Sequence, residues 1–237
     1  MRQRTGGGSR SAPVNAALER RGRIFVLAGV NGAGKSSVAG EAVRAVGGDY
    51  FNPDEATQRI LAANPGATLA AANAAAWAAG KRLLERAIVE QLDYAFETTL
   101  GGATIPRLLE AAVDAGLEVH IRYVGLDGAD LHVARVRARV AAGGHDIPEE
   151  KIRERYEHSR RNLIRLLPRL TDLTVFDNSL EAPPLRGKVP KPRLLLHAAR
   201  GTVLETAPFE SILGWAKPII MAALRMNRTG IGRRTTS

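Results

Sequence analysis

The segment Gly29-Val30-Asn31-Gly32-Ala33-Gly34-Lys35-Ser36 matches the spacing G-x-x-x-x-G-K-[ST] in full. Glycines let the backbone turn so that successive N–H groups wrap phosphate oxygens, and a helix starting there adds the positive end of its dipole. The loop is therefore expected to bind the phosphates of ATP through Gly29, Asn31, Gly32, Ala33, Gly34, Lys35, Ser36 and Ser37. Lys35 should reach the β- and γ-phosphates and the Ser36 hydroxyl should hold Mg²⁺. The motif lies between the apolar, β-branched run Arg23–Ala28 and a helix expected from Lys35 to about Val46, the setting a phosphate loop requires.

A phosphate loop fixes the donor, and the reaction depends on what faces the γ-phosphate. Transfer to an alcohol needs a carboxylate able to take the hydroxyl proton from about 3 Å. Asp54 in FNPDEAT is the candidate base; its alternative role is a helix N-cap or first-turn acid. Glu97, ending the run YAFE, could hold an acceptor hydroxyl or a hydrated magnesium ion, or bond turn amides nearby. Thr98 and Thr99 offer hydroxyls to a sugar, or shape the turn. Asp177 in VFDNS reads as a site-wall or turn residue, and no apolar run ends in an Asp-Glu pair.

Cations are concentrated between Arg135 and Arg169, where two basic helices flank Gly143-Gly144-His145-Asp146. This is the layout of a lid, about residues 130–168, whose arginines could stabilise a transferring phosphoryl group and whose closure would exclude water. The alternative is a pair of solvated faces on which Glu149, Glu150, Glu154 and Glu157 pair with the arginines. His145 reads as a hydrogen-bonded hinge histidine. His120, His132, His158 and His197 lack the spacing of a zinc site.

These residues need a scaffold. Strands are expected at Arg23–Ala28, Tyr50–Asn52, Tyr94–Glu97, Glu118–Gly125 and Leu173–Asp177, alternating with helices from Pro53, over Thr68–Gln91, Thr104–Ala115, Asp130–Ala142 and Pro148–Leu167. That alternation implies a three-layer α/β/α fold with a mainly parallel sheet, and ligands then sit beyond the carboxyl ends of the strands. The glycine loop, Asp54, Glu97 and Asp177 all follow or end such strands. A hairpin over Leu194–Thr206 and a helix over Phe209–Met226, kinked or broken at Pro218, complete the chain. The organisation expected is a basic tail (1–21), the nucleotide-binding domain (22–185), a hairpin and helix packed on it (186–226) and a second basic tail (227–237).

Composition narrows the function classes. The 237 residues contain no cysteine, which removes disulfides, thiolate metal sites and a cysteine nucleophile. No uncharged apolar run approaches the ~20 residues of a membrane span, and the basic opening segment lacks the apolar core of a secretory signal. A cytoplasmic location follows as the expectation. The net charge of +10 admits nucleic acid as a partner, but aromatics are only 5% and offer little for stacking bases.

AGVNGAGKSS, FNPDEAT, FETTLGG, RVAAGGHDIPEEKIRERYEHSRRNL and VFDNS, in this order, resemble the zeta toxin family of P-loop kinases over roughly residues 23 to 185. The resemblance implies ATP-dependent phosphorylation of a sugar hydroxyl on a nucleotide sugar such as UDP-N-acetylglucosamine, restrained by an antitoxin protein. It makes Asp54 the general base, gives ATP and Mg²⁺ to Lys35 and Ser36, and assigns acceptor binding to Glu97. It places the lid arginines among Arg137, Arg139, Arg153 and Arg155, with Arg139 and Arg155 taken as the catalytic pair. Competing expectations are a polynucleotide, RNA-end or dinucleotide kinase, and a non-catalytic ATP-binding module whose tails engage a partner.

Overall fold

A computed structural model describes residues 21–35, 50–180 and 191–231. Both terminal tails up to residue 20 and from residue 232, Ser36, Ser37 and the helix expected after Lys35 lie outside these residues. Seven strands form one sheet in the order β2-β3-β1-β4-β5-β6-β7. They are β1 (Arg23–Ala28), β2 (Tyr50–Phe51), β3 (Tyr94–Thr98), β4 (Glu118–Gly125), β5 (Asp172–Asp177), β6 (Arg193–Ala199) and β7 (Thr202–Thr206). The first five are parallel, whereas β6 pairs antiparallel with β5, and β7 with β6.

The register aligns the strand ends that matter. Ala28 on central β1 stands beside Thr98 of β3 and Tyr123 of β4, and Gly125 stands beside Asp177. Loops leaving β1, β2, β3, β4 and β5 therefore emerge on one edge, as parallel sheets require of a ligand crevice. Ile24, Val26, Ala28, Val119, Ile121 and Tyr123 are buried, so β1 and β4 carry the centre of the core. Each fully buried Ile or Leu here contributes about 1.5–3 kcal/mol.

The helices are α1 (Pro53–Ala63), α2 (Leu69–Glu90), α3 (Thr104–Asp114), α4 (Ala129–Ala141), α5 (Glu149–Leu166) and α6 (Lys217–Ile231). Asn52 caps α1, its Oδ1 accepting from the backbone N–H of Asp54 at 2.9 Å and of Glu55 at 3.3 Å, while Pro53 takes the first helical position. Asp54 is thus a first-turn acid whose capping work is done by its neighbour. Alanine-rich α2 runs close over β2; a Cβ placed on Gly80 would stand 2.6 Å from the Phe51 ring.

The C-terminal region differs from expectation in one respect. Phe209–Ser211 is a single 3-10 turn, and α6 starts only at Lys217, with Pro218 in its first turn. A proline there loses no intrahelical hydrogen bond, since the first N–H groups of a helix have no acceptor within it. Pro218 therefore initiates this helix instead of kinking it, and Ile219, Ile220 and Ala223 are buried in the core. The preceding Trp215 packs its ring onto Gly125, where a Cβ would come within 2.3 Å, and donates its indole N–H to Asp177 at 3.1 Å.

Candidate functional site

The loop after β1 is held at its root by the sheet itself. Gly29 donates its N–H to Thr98 O at 3.1 Å and adopts φ +147°, and a Cβ there would meet Val124 O at 2.3 Å. Only glycine fits. Ala33 N–H then closes a turn onto Val30 O at 3.0 Å, with Gly32 and Gly34 at φ +82° and +80°. Two carbonyls of the loop are anchored by side chains of separate elements: His132 Nδ1 of α4 donates to Asn31 O and Asn178 Nδ2, just after β5, donates to Ala33 O, each at 2.8 Å.

Lys35 turns back over this loop and donates from Nζ to Gly29 O at 2.9 Å. Burial lowers its pKa, Glu97 and Asp54 oppose that fall, and Arg139 and Arg155 add to it. Those four groups are thus its electrostatic neighbours, although they come from β3, α1, α4 and α5. The crevice gathers one half-buried ammonium, two carboxylates and two guanidiniums around a turn built to face phosphate.

Asp54 stands half-exposed at the start of α1, with Oδ2 3.7 Å from Arg139 Nη1 and Oδ1 3.7 Å from His145 Nε2. Sequence reasoning gave His145 a hinge role. Its carbonyl does accept from Arg139 Nη2 at 3.3 Å, and its ring also faces the candidate base. Glu97 is buried and accepts from the Tyr50 hydroxyl and, at 3.2 Å, from Asn52 Nδ2. The cap of α1 and the edge strand β2 therefore orient this carboxylate as well as Asp54.

Thr98 and Thr99 shape the turn after β3. Thr98 Oγ1 accepts from Leu100 N–H at 3.0 Å, Thr99 Oγ1 from Gly101 N–H at 3.4 Å, and Leu100 takes φ +55°. Helix α5 straps this turn from outside: Ser159 Oγ donates to Thr99 O at 2.7 Å, and Asn162 Nδ2 reaches Leu100 O and Gly102 O at 2.8 and 3.0 Å. Gly101 permits the approach, since a Cβ on it would lie 2.7 Å from Arg155 Cγ.

The four candidate lid arginines separate into two pairs. Arg137 bonds Glu149 at 2.7 Å, and Arg153 bonds Glu149 at 2.7 Å and Asp130 at 2.6 Å, all on the exposed side of the helices. Arg139 and Arg155 face the loop. Arg155 donates from Nη1 to Asn31 Oδ1 at 2.8 Å, and burial lowers its pKa, with Glu154 and Asp54 raising it. Asp177 serves the scaffold, accepting from Trp215 and, at 2.5 Å, from Ser179 Oγ.

The donor set suits a triphosphate: turned glycines, a lysine at the end of the loop and two inward arginines. Among the described residues no group of three or more His, Cys, Asp or Glu is gathered as a metal cage, and no helix is long and apolar enough to cross a membrane.

The Zeta toxin family model matches residues 15–182, a span that contains every side chain of this crevice. The chain belongs to the Zeta toxin family. The fold is also similar to a solved structure from the PezAT chromosomal toxin-antitoxin system of Streptococcus pneumoniae, with a TM-score of 0.54 at 11% identity, covering 88% of this chain and 85% of that one. The AvrRxo1-ORF1:AvrRxo1-ORF2 complex gives a TM-score of 0.60 at 14% identity over 86% of this chain; the match spans 64% of that longer chain. A further structure of that complex contains ATP. An uncharacterized protein of Haemophilus influenzae (strain ATCC 51907 / DSM 11121 / KW20 / Rd) is 34% identical over 137 residues, covering 56% of this chain and 92% of its own length. Family and fold together support an ATP-dependent kinase in general.

Sequence reasoning missed His132, Asn52, Tyr50 and the strap from Ser159 and Asn162. Asn178 lay in a motif that was noticed, VFDNS, but for its aspartate. A lone histidine on a helix carries no spacing signal, so His132 could be found only once α4 and the loop after β1 were placed side by side.

Proposed function

We propose that this zeta toxin family protein transfers the γ-phosphoryl group of ATP to a hydroxyl of a nucleotide sugar, with Asp54 as general base. The observation that carries the reading is Asp54 standing 3.7 Å from Arg139 at the mouth of a phosphate loop whose Lys35 has Glu97 and Arg155 as its other charged neighbours. An alcohol nucleophile needs a base in that position, and Asp54 supplies a carboxylate there.

In the reaction, the acceptor oxygen forms a bond to the γ-phosphorus as the bond to the β,γ-bridging oxygen breaks. Asp54 takes the acceptor's proton, and ADP leaves with the bridging oxygen. Lys35, Arg139 and Arg155 hold the charge on the phosphoryl oxygens, which is the main contribution a protein makes to this chemistry. Ser36 is the residue that would hold a magnesium ion, which would neutralise part of the phosphate charge. Glu97, oriented by Tyr50 and Asn52, is suited to accept a hydrogen bond from a sugar hydroxyl and so to aim its neighbour at Asp54. The hydroxyls of Thr98 and Thr99 edge the same region. Family membership supports the nucleotide sugar as the acceptor and an antitoxin protein as the partner that restrains the activity.

The test is to incubate the protein with Mg-ATP and separate nucleotide sugars, dinucleotides and RNA 5′ ends, and to read products by mass spectrometry. A gain of about 80 Da on a nucleotide sugar, the mass of one phosphoryl group, is the expected result. A gain on RNA or a dinucleotide instead would reassign the acceptor, and ATP binding with no phosphorylated product would turn the reading toward a binding module.

A further inference from the structure

In the proposed mechanism the loop must offer N–H groups to phosphate, yet nothing intrinsic to a glycine-rich turn stops its peptide planes from rotating. In a trans peptide the C=O of one residue and the N–H of the next point in opposite directions. A side chain that captures the carbonyl of Asn31 therefore also sets the direction of the Gly32 N–H, and one that captures Ala33 O sets that of Gly34.

Both captures are made, and by residues the mechanism does not use. His132 Nδ1 donates to Asn31 O and Asn178 Nδ2 to Ala33 O, at 2.8 Å each. His132 is only 1% exposed, and the Tyr156 ring meets it edge-on with centroids 5.6 Å apart. Tyr156 is fixed in turn, its hydroxyl accepting from Gly128 N–H at 3.2 Å and its ring covered by Arg160 at 4.0 Å. The α4 backbone itself presses on the loop: a Cβ at Gly32 would lie 2.8 Å from His132 O. The imidazole has no room to turn away, and its Nδ1 must carry the proton because a carbonyl can only accept.

We propose that His132 and Asn178 are positioning residues that hold the phosphate-binding amides of the loop inward before any nucleotide arrives. This rests on the reading of the loop as an ATP site. Without the His132 donor the Asn31–Gly32 peptide can rotate and turn a carbonyl toward phosphate, so the loss appears as weakened binding of the phosphates.

The experiment measures ATP dissociation constants by calorimetry on the full chain, beside the thermal midpoint of each variant. His132→Leu fills the space without a donor and should weaken ATP binding by about 10- to 100-fold, the worth of one buried, orienting hydrogen bond. His132→Asn returns an N–H donor three bonds from Cα, where Nδ1 stood, and should restore affinity to within about threefold of the parent. Asn178→Ala should weaken binding in the same direction and reports on the clamp even if His132→Leu does not fold. Unchanged affinity in folded His132→Leu and Asn178→Ala overturns the proposal, as does His132→Asn binding as poorly as His132→Leu. A parent protein that fails to bind ATP would overturn the nucleotide reading itself, an outcome visible before any variant is compared.

Discussion

Arg155 and Asn31 are 124 residues apart in sequence and 2.8 Å apart in space, Nη1 of the arginine donating to Oδ1 of the asparagine. One residue of the phosphate loop thus receives both helices of the arginine segment, its carbonyl bonded by His132 of α4 and its side chain by Arg155 of α5. In the proposed reaction a γ-phosphate competes with the Asn31 amide for this guanidinium and wins on charge, since it offers anionic oxygens that the planar fork can hold in pairs where the amide offers one neutral oxygen.

Sorting the arginines by partner predicts the kinetics. Arg155→Ala and Arg139→Ala should each lower kcat by about 10²- to 10⁴-fold, as expected for donors to a transferring phosphoryl group. Arg137→Ala and Arg153→Ala, which lose only exposed pairs with Glu149 and Asp130, should stay within about twofold of the parent rate and leave stability nearly unchanged, because exposed ion pairs contribute little. Steady-state rates on all four variants check the division, and an equal loss across them would contradict it.

His132 gives the fold a defined acid sensitivity. Burial holds its pKa down at about 4, with the Asn31 carbonyl opposing and Lys35, Arg135 and Arg160 reinforcing the drop. In the unfolded chain it protonates near pH 6.5. Between these values the unfolded state binds more protons, so stability falls as pH falls from about 6.5 and the loss levels off below about 4. The whole contribution is ~3 kcal/mol. Urea unfolding of the parent and of non-titrating His132→Asn should therefore give curves whose separation shifts by that order against the parent between pH 7 and pH 4. A pH-independent separation would remove His132 from the account.

Trp215 and Asp177 tie the C-terminal segment to the edge of the site. Trp215→Phe withdraws the far edge of the indole from Gly125 and takes the N–H donor from a buried carboxylate, leaving Ser179 as its remaining side-chain donor among the described residues. The expected cost is about 1–3 kcal/mol in denaturant unfolding. Because Asn178 follows Asp177 directly, a modest weakening of ATP binding should accompany it. A variant as stable as the parent would show that neither the N–H donor nor the indole edge on Gly125 holds this segment.

Much of this architecture was legible in the residues. Arg23–Ala28 and Glu118–Gly125 were read as strands with the boundaries they have, the first because it is an apolar, β-branched run bounded by glycines and the second because its polar and apolar residues alternate. Ordering strands and helices along the chain was enough to send the glycine loop, Asp54 and Glu97 to one edge. Other features depend on through-space partners. Nothing in the spacing distinguishes Arg139 from Arg137; their roles part because Glu149 lies on one side of α4 and Asp54 on the other. Pro218 was read as a helix breaker since its proximity to a helix start depends on Trp215 packing on Gly125, a contact 90 residues distant in sequence. The single histidine in α4 acquires meaning only from the carbonyl opposite it.

The central claim is that Asp54 takes the acceptor's proton during transfer from ATP, and Asp54→Asn tests it most directly. Asp54 is half-exposed and its backbone is capped by Asn52, so the substitution should shift stability by no more than about 0.5 kcal/mol. The measurement compares phosphorylated nucleotide sugar formed by parent and variant under saturating Mg-ATP, with ATP affinity determined on the same preparations. The prediction is full ATP binding with product formation reduced by about 10²- to 10⁴-fold, the range for losing a general base. Product formed at the parent rate by Asp54→Asn would contradict it.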